Sequence, residues 1–148
     1  MSQALGAIAA SFFGSLGFAV LYNLRGKRPW IPAAGGALFW AFYLFFRHQG
    51  GSAYAGFFVS AILLTAYAEL WAITLKTPVT VFLIPTVIPF IPGGGLYYSV
   101  SALLRGDMPA FAAKAAETLG LAMALAVGIM LVTSLARPAR LFLDRLRH

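Results

Sequence analysis

The chain contains no cysteine, so neither a disulfide framework nor a thiolate-ligated metal site is expected. Its two histidines, His48 and His148, fall outside the apolar runs, and no metal or other cofactor is expected. Acid is scarce: four Asp and Glu residues stand among 148, against eleven Lys and Arg. There are no paired carboxylates for acid–base work and no nucleophile with its base, so an enzyme is not expected. Charge of either sign is missing from Val79 to Leu104.

What the chain has in abundance is apolar surface. It is 61% hydrophobic with a mean hydropathy of +0.84, a composition that places it in the lipid bilayer as an all-α integral membrane protein. The net charge of +7 does not point to nucleic acid, because the basic residues sit in the connections and the tail. Residues 1–4 carry no basic side chain and the first apolar run is too long for a signal peptide, so a retained first span is expected.

Five apolar runs, about 4–22, 30–46, 53–75, 79–104 and 111–135, each approach the roughly 20 residues a span requires. They predict a single transmembrane domain over 1–148 with five helices, the fourth broken by proline and glycine. Trp30, Trp40, Tyr43, Tyr54 and Trp71 lie towards run ends, where aromatics anchor spans at the interface. After the fifth run, Ala139, Phe142, Leu143 and Leu146 share one face beside Arg140, Arg145 and Arg147. This predicts an amphipathic tail helix over 136–148 on the cytoplasmic membrane surface.

If all five runs cross, eight basic residues share one side: Arg25, Lys27, Arg28, Lys76, Arg137, Arg140, Arg145 and Arg147. Only Arg47, Arg105 and Lys114 oppose them. The positive-inside rule then predicts N-terminus out and C-terminus in. A re-entrant hairpin in place of the fourth crossing would divide the charge almost evenly, six against five, so a true crossing is favoured.

The fourth run carries Pro85, Pro89 and Pro92, followed by Gly93, Gly94 and Gly95. Each proline in a helix removes one donor and frees the carbonyl four residues earlier. Free backbone groups at membrane depth are tolerated only where protein buries them or water reaches them, which points to a solute pathway. We expect a half-helix over 78–84, irregular chain over 85–95 near mid-depth, and a second half-helix over 96–104. Unshielded glycine amides at the start of that second half-helix would attract a carboxylate, and Tyr97 or Tyr98 would add a phenol donor. A zwitterion or small carboxylate suits such a site. The plainer alternative is a kinked helix with close neighbours.

Glu69 is the most buried-looking acid, and Lys76 lies seven residues on along the same helix face. An intramembrane carboxylate is a candidate for proton coupling, because burial disfavours its charged form; a simple pair with a snorkelling Lys76 is the alternative. Glu117 lies one turn after Lys114, and an i,i+3 ion pair is its simplest explanation. Asp107 and Asp144 are expected to be solvated. Ala112, Ala116, Gly120, Ala124 and Gly128 form a small-residue stripe for close helix packing, with a weaker version in Ala7, Ser11 and Ser15.

Ala68-Glu69, Lys76 to Pro85, and Ile88-Pro89-Phe90-Ile91-Pro92-Gly93-Gly94-Gly95-Leu96-Tyr97 resemble the signature of the threonine/serine exporter family. Gly106-Asp107 and the small-residue-rich last run are similar too. The likeness is to the short C-terminal-type subunit of the family's split, two-chain form. It implies secondary transport in the bacterial inner membrane, exporting small amino acids or small dicarboxylates, with the proton gradient as energy source. It also implies a partner, a second membrane subunit of the same family. The contrasting expectation is a non-transporting accessory subunit whose small-residue stripe docks another membrane protein.

Overall fold

The structure is a computed structural model that describes residues 2–146, with side chains described as far as Ala136. Among the described residues six α-helices follow one another: α1 Ser2–Leu21, α2 Trp30–His48, α3 Ala53–Thr74, α4 Thr80–Val87, α5 Gly93–Leu104 and α6 Met108–Leu146. A 3-10 turn over Ile88–Phe90 extends α4. Among the described residues three segments are long and apolar enough to cross a membrane: α1, α3 and Met108–Ala136 of α6. The pair Thr80–Phe90 and Gly93–Leu104, bent by 48°, makes a fourth if taken as one span. At 19 residues α2 is about 28 Å long, near the hydrocarbon thickness, but its aromatic-rich composition is less apolar. The amphipathic side chains of the predicted tail lie outside the described ones; the backbone there continues α6.

The helix ends follow from local chemistry. Asn23, Gly50, Lys76 and Gly106 all adopt positive φ just after a helix. In each case the next amide reaches back five residues: Leu24 to Ala19, Gly51 to Phe46, Thr77 to Ala72 and Asp107 to Ala102, all at 2.9–3.1 Å. Lys76 adopts this geometry with a strain that glycine avoids. Ser52 caps α3 by accepting from the Ala55 amide at 3.1 Å, and Asp107 caps α6 by accepting from Ala110 at 3.0 Å. Asp107 therefore has a structural task as well as exposure to solvent.

Glycine sets how closely the helices approach. A Cβ on Gly128 would lie 2.6 Å from the Ala61 Cβ, and one on Gly120 would lie 2.7 Å from the Tyr54 ring. Rising numbers on α6 thus match rising numbers on α3, so the two helices run parallel. On α2, Ser15 of α1 fills the space a side chain at Gly36 would need. The small-residue stripes therefore meet their partners within the chain, although Ala112 and Ala116 at the start of α6 are exposed.

One core cluster gathers Phe39, Phe57, Leu64, Phe90 and Leu125. Phe90, fully buried, is its hub: its ring packs edge-on against Trp40 at 5.3 Å and Phe57 at 5.6 Å. Trp40 and Tyr43 thus pack on the break, the Tyr43 ring lying 6.3 Å from that of Phe90. A second cluster joins Ala19, Leu24, Ala68, Ala72 and Phe82 at the other end of α3.

Candidate functional site

The break is shorter than the sequence predicts. Helix α4 runs through Pro85, and the chain leaves helical geometry only at Ile91 and Pro92. Thr86 Oγ1 donates to the Phe82 carbonyl at 2.7 Å, and the Ile91 amide reaches the Ile88 carbonyl at 3.2 Å, one of those expected to be freed. Ile91 is extended, with ψ 117°, as the residue before a proline prefers.

Helix α5 then starts on the three glycines. The Gly93 amide bonds the Ile91 carbonyl at 2.7 Å, and Leu96 makes the first helical bond, to Pro92 at 3.1 Å. No side chain caps the helix, so the amides of Gly94 and Gly95 have no acceptor among the described residues. A Cβ on Gly95 would overlap Thr118 Oγ1 of α6, whereas Gly93 and Gly94 face open space.

These amides border a cleft of about 410 Å³. Pro92, Gly94 and Gly95 form one wall, Tyr43 of α2 contributes another, and Lys114 and Glu117 of α6 supply its charge. Lys114 Nζ and Glu117 Oε2 are 2.8 Å apart, with about half of each side chain exposed. A neighbouring cleft of about 290 Å³, lined by Ser11 and Gly14 of α1, shares Trp40 and Pro89 with it. Trp40 Nε1 is buried without a hydrogen-bond partner among the described residues.

Of the residues predicted from sequence, Pro89, Pro92, Gly94 and Gly95 line the larger cleft. Pro85 is fully buried elsewhere in the core. Gly93 and Tyr97 are exposed and outside the cleft lining; Tyr98 is the tyrosine that lines it. Glu69 is buried at 8% exposure on α3, Lys76 is exposed at the end of that helix, and neither lines the cleft. Twelve residues separate Glu69 from the cleft residue Phe57, about 18 Å along α3.

Gly95 abuts Thr118, two residues before the glycine that packs on Tyr54, so the break lies level with the first turn of α3. The Arg47 to Gly51 connection is at this end of the bundle, and Arg47 donates to the Gly51 carbonyl at 2.9 Å. Sequence reasoning missed Lys114 and Glu117 as site residues because their spacing explained them locally. The signal was their presence inside an otherwise uncharged apolar run.

A search of curated proteins and a search of solved structures returned no match. The family model described as threonine/serine exporter, ThrE, matches residues 7–135, nearly the whole chain and all of the cleft. With its apolar helices and its broken fourth run, this chain belongs to the threonine/serine exporter family of membrane transporters.

Proposed function

We propose that the chain is one subunit of a secondary transporter that exports threonine and serine across the bacterial inner membrane. The observation that carries this reading is the cleft at the break, where uncapped glycine amides stand beside side chains of both charges. The positive end of α5 suits a carboxylate, and an amino acid also brings an ammonium group that needs a counter-charge. Small dicarboxylates satisfy only the first requirement and rank second.

The parallel course of α3 and α6 supports five crossings. With α4 and α5 together as a fourth crossing, the third and fifth spans must run parallel; a re-entrant hairpin would make them antiparallel. N-terminus out and C-terminus in then puts the cleft at the outer end, on the release side of an exporter. Beside the cleft, α5 and α6 expose Leu96, Tyr97, Leu119 and Met123. A second membrane subunit of the same family completes the pathway in this reading.

Glu69 and Lys76 serve coupling rather than substrate binding, since both lie away from the cleft. Reconstitution of the chain with the membrane protein that co-purifies with it tests the proposal. Labelled threonine and serine should move across the vesicle membrane, and failure to move either would overturn the reading. Glu69→Gln should abolish acceleration by a pH gradient while leaving threonine exchange within about twofold of wild type, since a permanently neutral side chain cannot carry the proton. Unchanged gradient-driven export would remove the proton role alone.

A further inference from the structure

The ion pair at the cleft is an unusual resource for a helix that otherwise presents apolar and small residues over 108–136. Lys114 and Glu117 bond each other across one helical turn, and both side chains border the cleft that Gly94 and Gly95 border. Exposed pairs of this spacing contribute little to helix stability, so exchanging their partners is easy. We propose that Lys114 and Glu117 are the specificity-determining residues for a zwitterion, Lys114 receiving its α-carboxylate and Glu117 its α-ammonium group. The inference rests on the exporter reading and adds to it the residues that read an amino acid as such.

The geometry is matched in kind. The two charges of an α-amino acid sit on adjacent carbons, and Nζ and Oε2 are only 2.8 Å apart in the cleft. A bound zwitterion would part the pair and give each member a new opposite charge, so no charge is left alone in the cleft. Thr118, one position beyond Glu117, also lines the cleft. Its Oγ1 donates to the Lys114 carbonyl at 2.7 Å and so retains lone pairs to accept a bond from a substrate hydroxyl. Leu121 and Phe57 give the remaining lining an apolar character suited to a short side chain.

Equilibrium dialysis of the purified complex distinguishes this from a merely structural pair. The ligands are labelled threonine, 2,3-dihydroxybutanoate, which lacks the ammonium group, and 2-aminobutane-1,3-diol, which lacks the carboxylate. Wild type should prefer threonine to both analogues. Glu117→Gln should weaken threonine by about tenfold or more, as loss of a charge-assisted hydrogen bond does, and leave the ammonium-free analogue within about twofold. Lys114→Gln should do the same with respect to the carboxylate-free analogue. The exchanged double variant, Lys114→Glu with Glu117→Lys, keeps an ion pair on the helix and should still bind threonine poorly.

Equal loss for all three ligands in the single variants, or full recovery of threonine binding in the exchanged variant, would overturn the assignment. A folded wild-type complex that binds none of the three would overturn the exporter reading itself. Preference for threonine that persists in Glu117→Gln would leave that reading standing and remove only the zwitterion-reading roles of Lys114 and Glu117.

Discussion

Glycine at 95 is required by a neighbour, not by its own backbone angles. Its missing Cβ is the space that Thr118 occupies, and the Thr118 hydroxyl is itself tied to the Lys114 carbonyl. Gly95→Ala should therefore lower the stability of the α5–α6 hairpin by about 1–3 kcal/mol, the usual cost of overpacking, despite the better helix propensity of alanine. Gly93→Ala, facing open space, should be neutral or stabilising by about 0.5–1 kcal/mol. Thermal inactivation of the purified complex checks both, and equal melting of the two variants would show that Thr118 does not hold the contact. Sequence alone marked all three glycines as amide donors. It did not separate the one that packs from the two that face open space, because that distinction belongs to α6, more than twenty residues away.

The helices themselves were largely legible, since apolar runs and polar punctuation give their approximate ends. Asn23, Gly50 and Gly106 stand where left-handed caps are favoured; Lys76 in that role was not legible, because lysine has no preference for it. The break was overestimated. Three prolines at spacings of four and three remove one donor each turn, but the tightened turn at Ile88–Phe90 lets the Ile91 amide bond the Ile88 carbonyl that Pro92 leaves free. Only Ile91 and Pro92 leave the helix, so the 48° bend depends chiefly on them. Pro92→Ala should allow α4 and α5 to join, narrow the cleft and reduce threonine export by about tenfold, the effect of misplacing a site by an ångström or more. Vesicle transport rates measure this; wild-type rates in a normally assembled variant would show that the bend is not needed.

At the scale of the molecule, the parallel pairing of α3 and α6 ties the packing to the topology. Gly120 against Tyr54 and Gly128 against Ala61 fix both the direction and the offset of the two helices. That offset carries the first turns of α6, with Lys114 and Glu117, beyond the start of α3 and beside the glycines of α5. The fourth run contains no charge, so the charge at its site comes from the fifth. No motif on either run reveals this alone, because the ion pair is fully explained by its local spacing until the fold sets it at the cleft. Glu69 stands apart in the second half of α3, about 18 Å along that helix from the cleft residue Phe57.

In the proposed mechanism an amino acid occupies the cleft at the break. The absence of cysteine allows a direct test: Gly94→Cys, placed where a side chain meets open space, labelled in the assembled complex by a polar, membrane-impermeant thiol reagent. Labelling from the outer side is expected, and it should slow by about tenfold in saturating threonine, as an occupied site excludes reagent. Labelling at the same rate with and without threonine, in a complex that still transports it, would contradict the claim.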